Sequence, residues 1–150
     1  MMQLVCYLFV GLGVFVADQI TKFCALVWCQ ECVTIFPGFS CEVMFNRGIS
    51  WGMLHSASSL LFAMVNVLIV GIFCAVLWSA YRSYKSNEPL YGYVLVLSGA
   101  LSNLLDRIMY HGVVDFIVVY YGNWFWPSFN LADAAIVIGT VILIIRGLRS

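Results

Sequence analysis

Four of the seven acidic residues in this chain, Asp18, Asp106, Asp115 and Asp133, lie in or against long apolar stretches. An ionised side chain at the centre of a bilayer costs at least ~2.5–3.5 kcal/mol, so such residues tend to mark chemistry. Asp18 and Lys22 stand i,i+4 and can pair on one helix face, which gives them a structural reading. Gly99, Asn103 and Asp106 fall at i, i+4 and i+7 in one polar stripe, and Arg107 offers Asp106 a partner next door, so Asp106 reads as a brace. Asp115, between "VV" and "FIVVYY", and Asp133, between "LA" and "AAIVIG", have no such partner.

Each of these two has a bland reading. Asn130 in "SFNLAD" can cap a helix with Asp133 in its first turn, near the positive end of the dipole. A turn would account for Asp115. Neither explains two unpartnered carboxylates at one depth. Two close carboxylates in a low-dielectric site resist double ionisation and share a proton. One can then activate water while the other protonates a leaving group. That is aspartic-protease chemistry, which uses neither a metal nor a nucleophilic serine.

The elements that position these acids follow from composition. The chain is 63% hydrophobic and only 9% charged over 150 residues, with mean hydropathy +0.99, against roughly 25% charged for a soluble domain. This is the composition of a single integral-membrane domain, residues 1–150. Zero net charge leaves no basic footprint for nucleic acid. Four stretches, about 4–28, 58–81, 90–109 and 130–146, can cross ~30 Å of hydrocarbon as helices. A cleaved signal peptide over 4–16 would need a basic start, and nothing before Lys22 is basic. Arg82 and Lys85 follow the second stretch, and Arg146 and Arg149 follow the fourth. The positive-inside rule puts both clusters, and both termini, in the cytoplasm. Residues 29–57 and 110–129 are then outside, with Asp115 and Asp133 at the outer ends of the third and fourth spans, at similar depth. Trp28, Trp78, Trp124 and Trp126 fall near the interfaces.

The outer segment after the first span mixes β-branched and aromatic residues with turns at Pro37-Gly38 and Arg47-Gly48, the pattern of a small hairpin module. Cys6, Cys24 and Cys74 read as apolar fillers within spans. Cys29, Cys32 and Cys41 lie outside, where a disulfide among the three is compatible with an oxidising compartment. "CQEC" has metal-pair spacing, but no second pair or nearby histidine completes a zinc site. A Cys–His catalytic pair using His55 or His111 is only weakly signalled.

Four short strings, in order, give the chain a resemblance to the lipoprotein signal peptidase (signal peptidase II) family over essentially its whole length. They are "DQITK" (Asp18 to Lys22), "NRG" (Asn46 to Gly48), "GALSNLLDR" followed by "GVVDF", and "FNLAD". The resemblance implies an all-α membrane protein of four transmembrane helices, with a small extracytoplasmic β-cradle between helices 1 and 2. It implies a monomeric aspartyl endopeptidase of the bacterial inner membrane, among membrane lipids and without cofactor or metal. Its substrate is a diacylglyceryl-modified prolipoprotein, cut just before the lipidated cysteine. The catalytic pair falls on Asp115 and Asp133. Asn103, Arg107 and Asn130 match polar residues that line or brace that site, and Asp18, Lys22, Asn46 and Gly48 match other motif positions. Asp106 belongs to the same supporting set. The chain departs from the usual Gly-Gly-Ala-x-Gly-Asn at Ser98 and Ser102, and from Ala-Ala-Phe at Ile49, Ser50 and Trp51.

Two other classes fit parts of the pattern. A small transporter or proton conduit would use the four aspartates as a relay, although their clustering at one depth opposes this. A metal-dependent lipid head-group transferase would use them as Mg²⁺ ligands.

Overall fold

The computed structural model describes residues 2–48 and 59–148. Ile49, Ser50, Trp51 and His55 lie outside the described residues. The elements run α1 (Met2–Trp28), β1 (Val33–Phe36), β2 (Phe39–Asn46), α2 (Ser59–Lys85), α3 (Tyr91–Tyr110), β3 (Val113–Tyr121), β4 (Trp124–Phe125) and α4 (Leu131–Gly147). Each long apolar stretch is a helix, because only a helix satisfies every backbone group within its own segment. Two of them, α1 and α2, are long and apolar enough to cross a membrane. Their side chains, among them Leu8, Phe9, Leu12, Val67 and Ile72, remain exposed on the isolated chain.

Bulky polar side chains share the interior with mostly smaller apolar ones such as Ala25, Val65, Val113 and Ala132. Of the largest fully buried side chains, Lys22, Asn130, Asp18, Asp106, Asp115 and Ser102 are polar or charged, and only Val114 is apolar. Helices α3 and α4 approach closely because small residues line their contact. A Cβ added to Gly139 would lie 2.6 Å from the Gly92 carbonyl oxygen, and one on Gly99 would lie 2.5 Å from that of Ala132. Small residues at such crossings let backbones pack where lipid supplies no hydrophobic drive.

Four antiparallel strands form one sheet in the order β1-β2-β3-β4. The β1–β2 hairpin turns at Pro37-Gly38, where Gly38 takes φ 91°, a conformation that favours glycine. The expected cradle between the first two helices is therefore only half of the sheet. Strands β3 and β4 come from between α3 and α4, and β3 pairs with β2 along most of its length. This also corrects the placement of Asp115 at the outer end of the third span. Helix α3 ends at Tyr110, His111 turns the chain in the left-handed region (φ 56°), and Asp115 lies on β3, opposite Met44 of β2. A pattern of "VVDFIVVYY" flanked by helices reads equally as helix end or strand, and pairing with a distant hairpin decides it.

The disulfide joins Cys29, just past α1, to Cys41 on β2. Between Cys41 and Met44 the β2–β3 register shifts, and the Val43 N–H donates to the Cys29 carbonyl at 3.1 Å instead. Such an irregularity re-aims the strand that follows. At the other end of the molecule Arg146 donates to the Pro89 carbonyl at 2.7 Å and pairs with Glu88. The basic ends of α2 and α4 thus lie opposite the sheet.

Candidate active site

The cleft is built where the start of α4 meets β3. Asn130 caps α4 through a reciprocal box: its Oδ1 accepts the Asp133 N–H at 2.9 Å, and Asp133 Oδ2 accepts the Asn130 N–H at 3.4 Å. The capping reading of Asp133 is thus correct, but it occupies only one carboxylate oxygen. Because the Asn130 oxygen is committed to that N–H, its Nδ2 must face the other way. It donates to Asp115 Oδ1 at 2.7 Å and to the Val114 carbonyl at 3.3 Å. One side chain therefore ties the two acids together.

Asn46 repeats the device on β2. Its Oδ1 accepts the Gly48 N–H at 3.0 Å, an Asx turn, and its Nδ2 donates to Asp115 Oδ2 at 3.0 Å. Asp115 is 1% exposed, with an amide donor on each oxygen. Burial is the main cause of a pKa pushed up to about 7, and the neighbouring Asp133 adds to it. The Asn46 and Asn130 donors and Lys22 act in the opposite direction. Asp133 is held from α3, where Asn103 Nδ2 donates to its Oδ1 at 2.8 Å.

Behind the acids lies a charge cluster. Lys22 contacts Asp18 at 2.7 Å, Asp106 at 2.7 Å and Asn103 Oδ1 at 2.8 Å. The i,i+4 pair expected on α1 is present. The partner expected for Asp106 is not: Arg107 points elsewhere, and Asp106 binds Lys22, Gln19 Nε2 at 3.0 Å and the Val114 N–H at 3.1 Å. Successive helix residues face about 100° apart, so a neighbour in sequence is a poor candidate for a contact. Arg107 Nη2 instead donates to the Gly48 carbonyl, and Nη1 to that of Arg47 at 3.4 Å. Asp18 reaches across to α4, where its Oδ1 accepts the Ala132 N–H at 2.8 Å, and its Oδ2 accepts Ser102 Oγ at 2.7 Å.

Two contributors escaped the sequence reading. Gln19 donates to Ser102 Oγ at 2.9 Å as well as to Asp106, and the fully buried Ser102 donates in turn to Asp18. Gln19 lies inside the "DQITK" string, and Ser102 is one of the departures noted there. Their signal was present, but no sequence rule assigned them a partner.

Asp115 and Asp133 line one cleft of about 470 Å³, together with Asn46, Gly48, Asn103 and Arg107. Apolar side chains of α4, Ile136, Val137 and Ile138, form one wall, and residues 126–129 form another. Among the described residues no three His, Cys, Asp or Glu side chains converge as a metal-ligand set.

Comparison with known proteins fits this geometry. The family model described as signal peptidase (SPase) II matches residues 10–149. The lipoprotein signal peptidase of Polynucleobacter necessarius subsp. necessarius is 35% identical over 150 residues, covering 99% of this chain and 92% of that protein. That of Blochmanniella pennsylvanica is 40% identical over 122 residues, covering 79% and 73%. A solved bacterial membrane enzyme, determined in meso at 1.9 Å, superposes with TM-score 0.76 at 25% identity, covering 97% of this chain and 94% of its own. A second, at 2.3 Å, gives TM-score 0.76 at 26% identity, covering 96% and 88%. This chain belongs to the signal peptidase II family.

Proposed function

We propose that the chain is an aspartyl endopeptidase of the bacterial inner membrane. It removes the signal peptide of diacylglyceryl-modified prolipoproteins, cutting before the lipidated cysteine, with Asp115 and Asp133 as its catalytic pair. One observation carries this reading: the two acids, from a strand and from a helix start, open on a single cleft and share Asn130 as a common ligand.

Near neutral pH the pair holds one proton between two carboxylates, because burial and mutual repulsion disfavour the doubly ionised state. In the proposed step, Asp133 takes a proton from water as the water oxygen bonds to the scissile carbonyl carbon. Asp115 gives its proton to the carbonyl oxygen, forming a neutral gem-diol. Asp133 then delivers its proton to the amide nitrogen as the C–N bond breaks. Asp115 recovers a proton from the gem-diol as the new carboxyl forms. The products are the signal peptide with a free carboxyl group and a mature chain with a free amine on its lipidated cysteine.

The setting suits such a substrate. In the proposed topology all four helices span the bilayer as one domain, both termini are cytoplasmic, and the sheet and cleft face outward. The basic ends of α2 and α4 lie on the side away from the sheet, as that orientation requires. The apolar α4 wall can take acyl chains or a helical signal peptide, and a diacylglyceryl anchor would set the scissile bond at the depth of the acids.

The test uses the full chain in detergent with lipidated and Cys→Ser precursors, with and without EDTA. Asp115→Asn and Asp133→Asn should each stay folded and lose cleavage. Wild type should be indifferent to EDTA and should cut the unlipidated precursor at least about a hundredfold more slowly. A tenth or more of wild-type turnover in either Asn variant overturns the pair. Loss of activity in EDTA would favour the metal-dependent alternative, and equal rates on both precursors would overturn the lipid specificity.

A further inference from the structure

We propose that Lys22 is a positioning residue for Asp133, acting by fixing which way round the Asn103 side-chain amide sits. This rests on the catalytic-pair reading above. An ammonium group has three N–H donors and no acceptor. Those of Lys22, 2% exposed, have three partners: Asp18 Oδ2, Asp106 Oδ2 and Asn103 Oδ1. The end of Asn103 that faces it must therefore be the oxygen, since a reversed amide would set an NH₂ against NH₃⁺. With the oxygen so committed, Nδ2 is left for Asp133 Oδ1.

The same logic operates at the other two asparagines of the site. Backbone N–H groups, of Asp133 and Gly48, hold the oxygens of Asn130 and Asn46. Asn103 lies mid-helix, where the backbone N–H groups are already taken by the helix, and the ammonium supplies the pure donor from another element.

A reversed Asn103 would present its carbonyl oxygen to the Asp133 carboxylate. Two acceptors would then face each other unless Asp133 were protonated, and a protonated Asp133 cannot take a proton from water. The other charged groups of the site are Asp115 on β3, Asp18 with Lys22 on α1, and Asp106 and Arg107 on α3. Asp18 and Asp106 are themselves held by Lys22, so a simple removal of Lys22 would leave two buried carboxylates unbalanced.

The experiment therefore pairs Lys22→Met with Asp18→Asn, removing one charge of each sign. Gln19→Leu is the control, because Gln19 holds Ser102 and Asp106 but makes no hydrogen bond to Asn103. Thermal midpoint, kcat and KM are measured across pH with a lipidated precursor. The double variant should keep its KM, lose kcat by about a hundredfold, and show the acidic limb of its pH–rate profile displaced upward by about one unit. Gln19→Leu should lose thermal stability and keep the wild-type limb. Should the double variant not fold, Lys22→Gln paired with Asp18→Asn gives the same readout, because a neutral amide accepts either end of Asn103 while one charge of each sign is still removed. An unmoved acidic limb, with kcat falling only as stability falls, makes Lys22 merely structural and overturns the inference. If Asp133→Asn remains active, the pair itself falls; an inactive Asp133→Asn beside an unmoved limb removes only the role of Lys22.

Discussion

Asp115 is held in a place that works against folding once it ionises. Its pKa in the folded chain is about 7, well above an ordinary carboxylate value, chiefly because it is buried. The folded state therefore binds more protons than the unfolded state between roughly pH 4 and pH 7, and stability falls as pH rises through that window. Above the folded pKa the loss is complete. Asp115→Asn should accordingly raise the thermal midpoint at pH 8, with the gain shrinking as the pH is lowered towards 4. A midpoint at or below wild type at pH 8 would mean that the carboxylate is not under this stress. At this scale the sequence showed which acids were unusual, since apolar flanks and missing counter-charges can be read locally. It did not show what each acid touches. Asp106 was matched to Arg107 by adjacency, whereas its cation comes from Lys22 on another helix. Gln19 stood inside the "DQITK" string, but an amide in an apolar span is cheap enough that nothing local gave it a partner.

The α3–α4 contact is the element that sets Asp133 in place. A methyl group on Gly99 would meet the Ala132 carbonyl oxygen at 2.5 Å, and backbone cannot swing aside as a side chain can. Gly99→Val should therefore shift the start of α4, lower the thermal midpoint and reduce cleavage at least tenfold, since small misplacements of reacting groups are costly. Gly13→Ala, where nothing lies within 4 Å, should change neither property. Equal behaviour of the two variants in a melt and a cleavage assay would refute a positional role for Gly99. The helices were legible from length and apolarity to within a few residues, and the hairpin from its Pro-Gly turn. The second half of the sheet was not. Strand β3 is specified by pairing with β2 across some 70 residues of chain, for example Asn46 with Val113, and no local periodicity records that.

For the molecule as a whole, most of the largest fully buried side chains are polar and belong to the site's network, which lies beside an apolar cluster of Ala25, Cys41 and Phe116. The sheet is attached to this body by β3 and by the Cys29–Cys41 disulfide. That bridge closes a loop of sequence separation 12, for which chain-entropy arguments give about 3 kcal/mol. A Cys29→Ser, Cys41→Ser double variant should melt several degrees lower and retain measurable cleavage, because the carboxylates and their amide donors are held by other contacts. Complete loss of activity in a still-folded double variant would show that the bridge sets the cleft directly. The sequence placed Cys29, Cys32 and Cys41 on one side without deciding among them. The choice depends on which of them the hairpin brings against the end of α1.

The bond from the Ala132 N–H to Asp18 joins residues 114 apart in sequence. During synthesis the first of these leaves the ribosome long before the second. Asp18 must therefore wait in the bilayer without its α4 partner, and its i,i+4 pairing with Lys22 lets α1 enter with its charge already balanced. The pairing of Asp115 with Asp133, by contrast, cannot exist until the α4 segment arrives and docks. On the proposed function, a partly made enzyme would be a harmless one, with proteolysis switched on only by the final step of its own assembly.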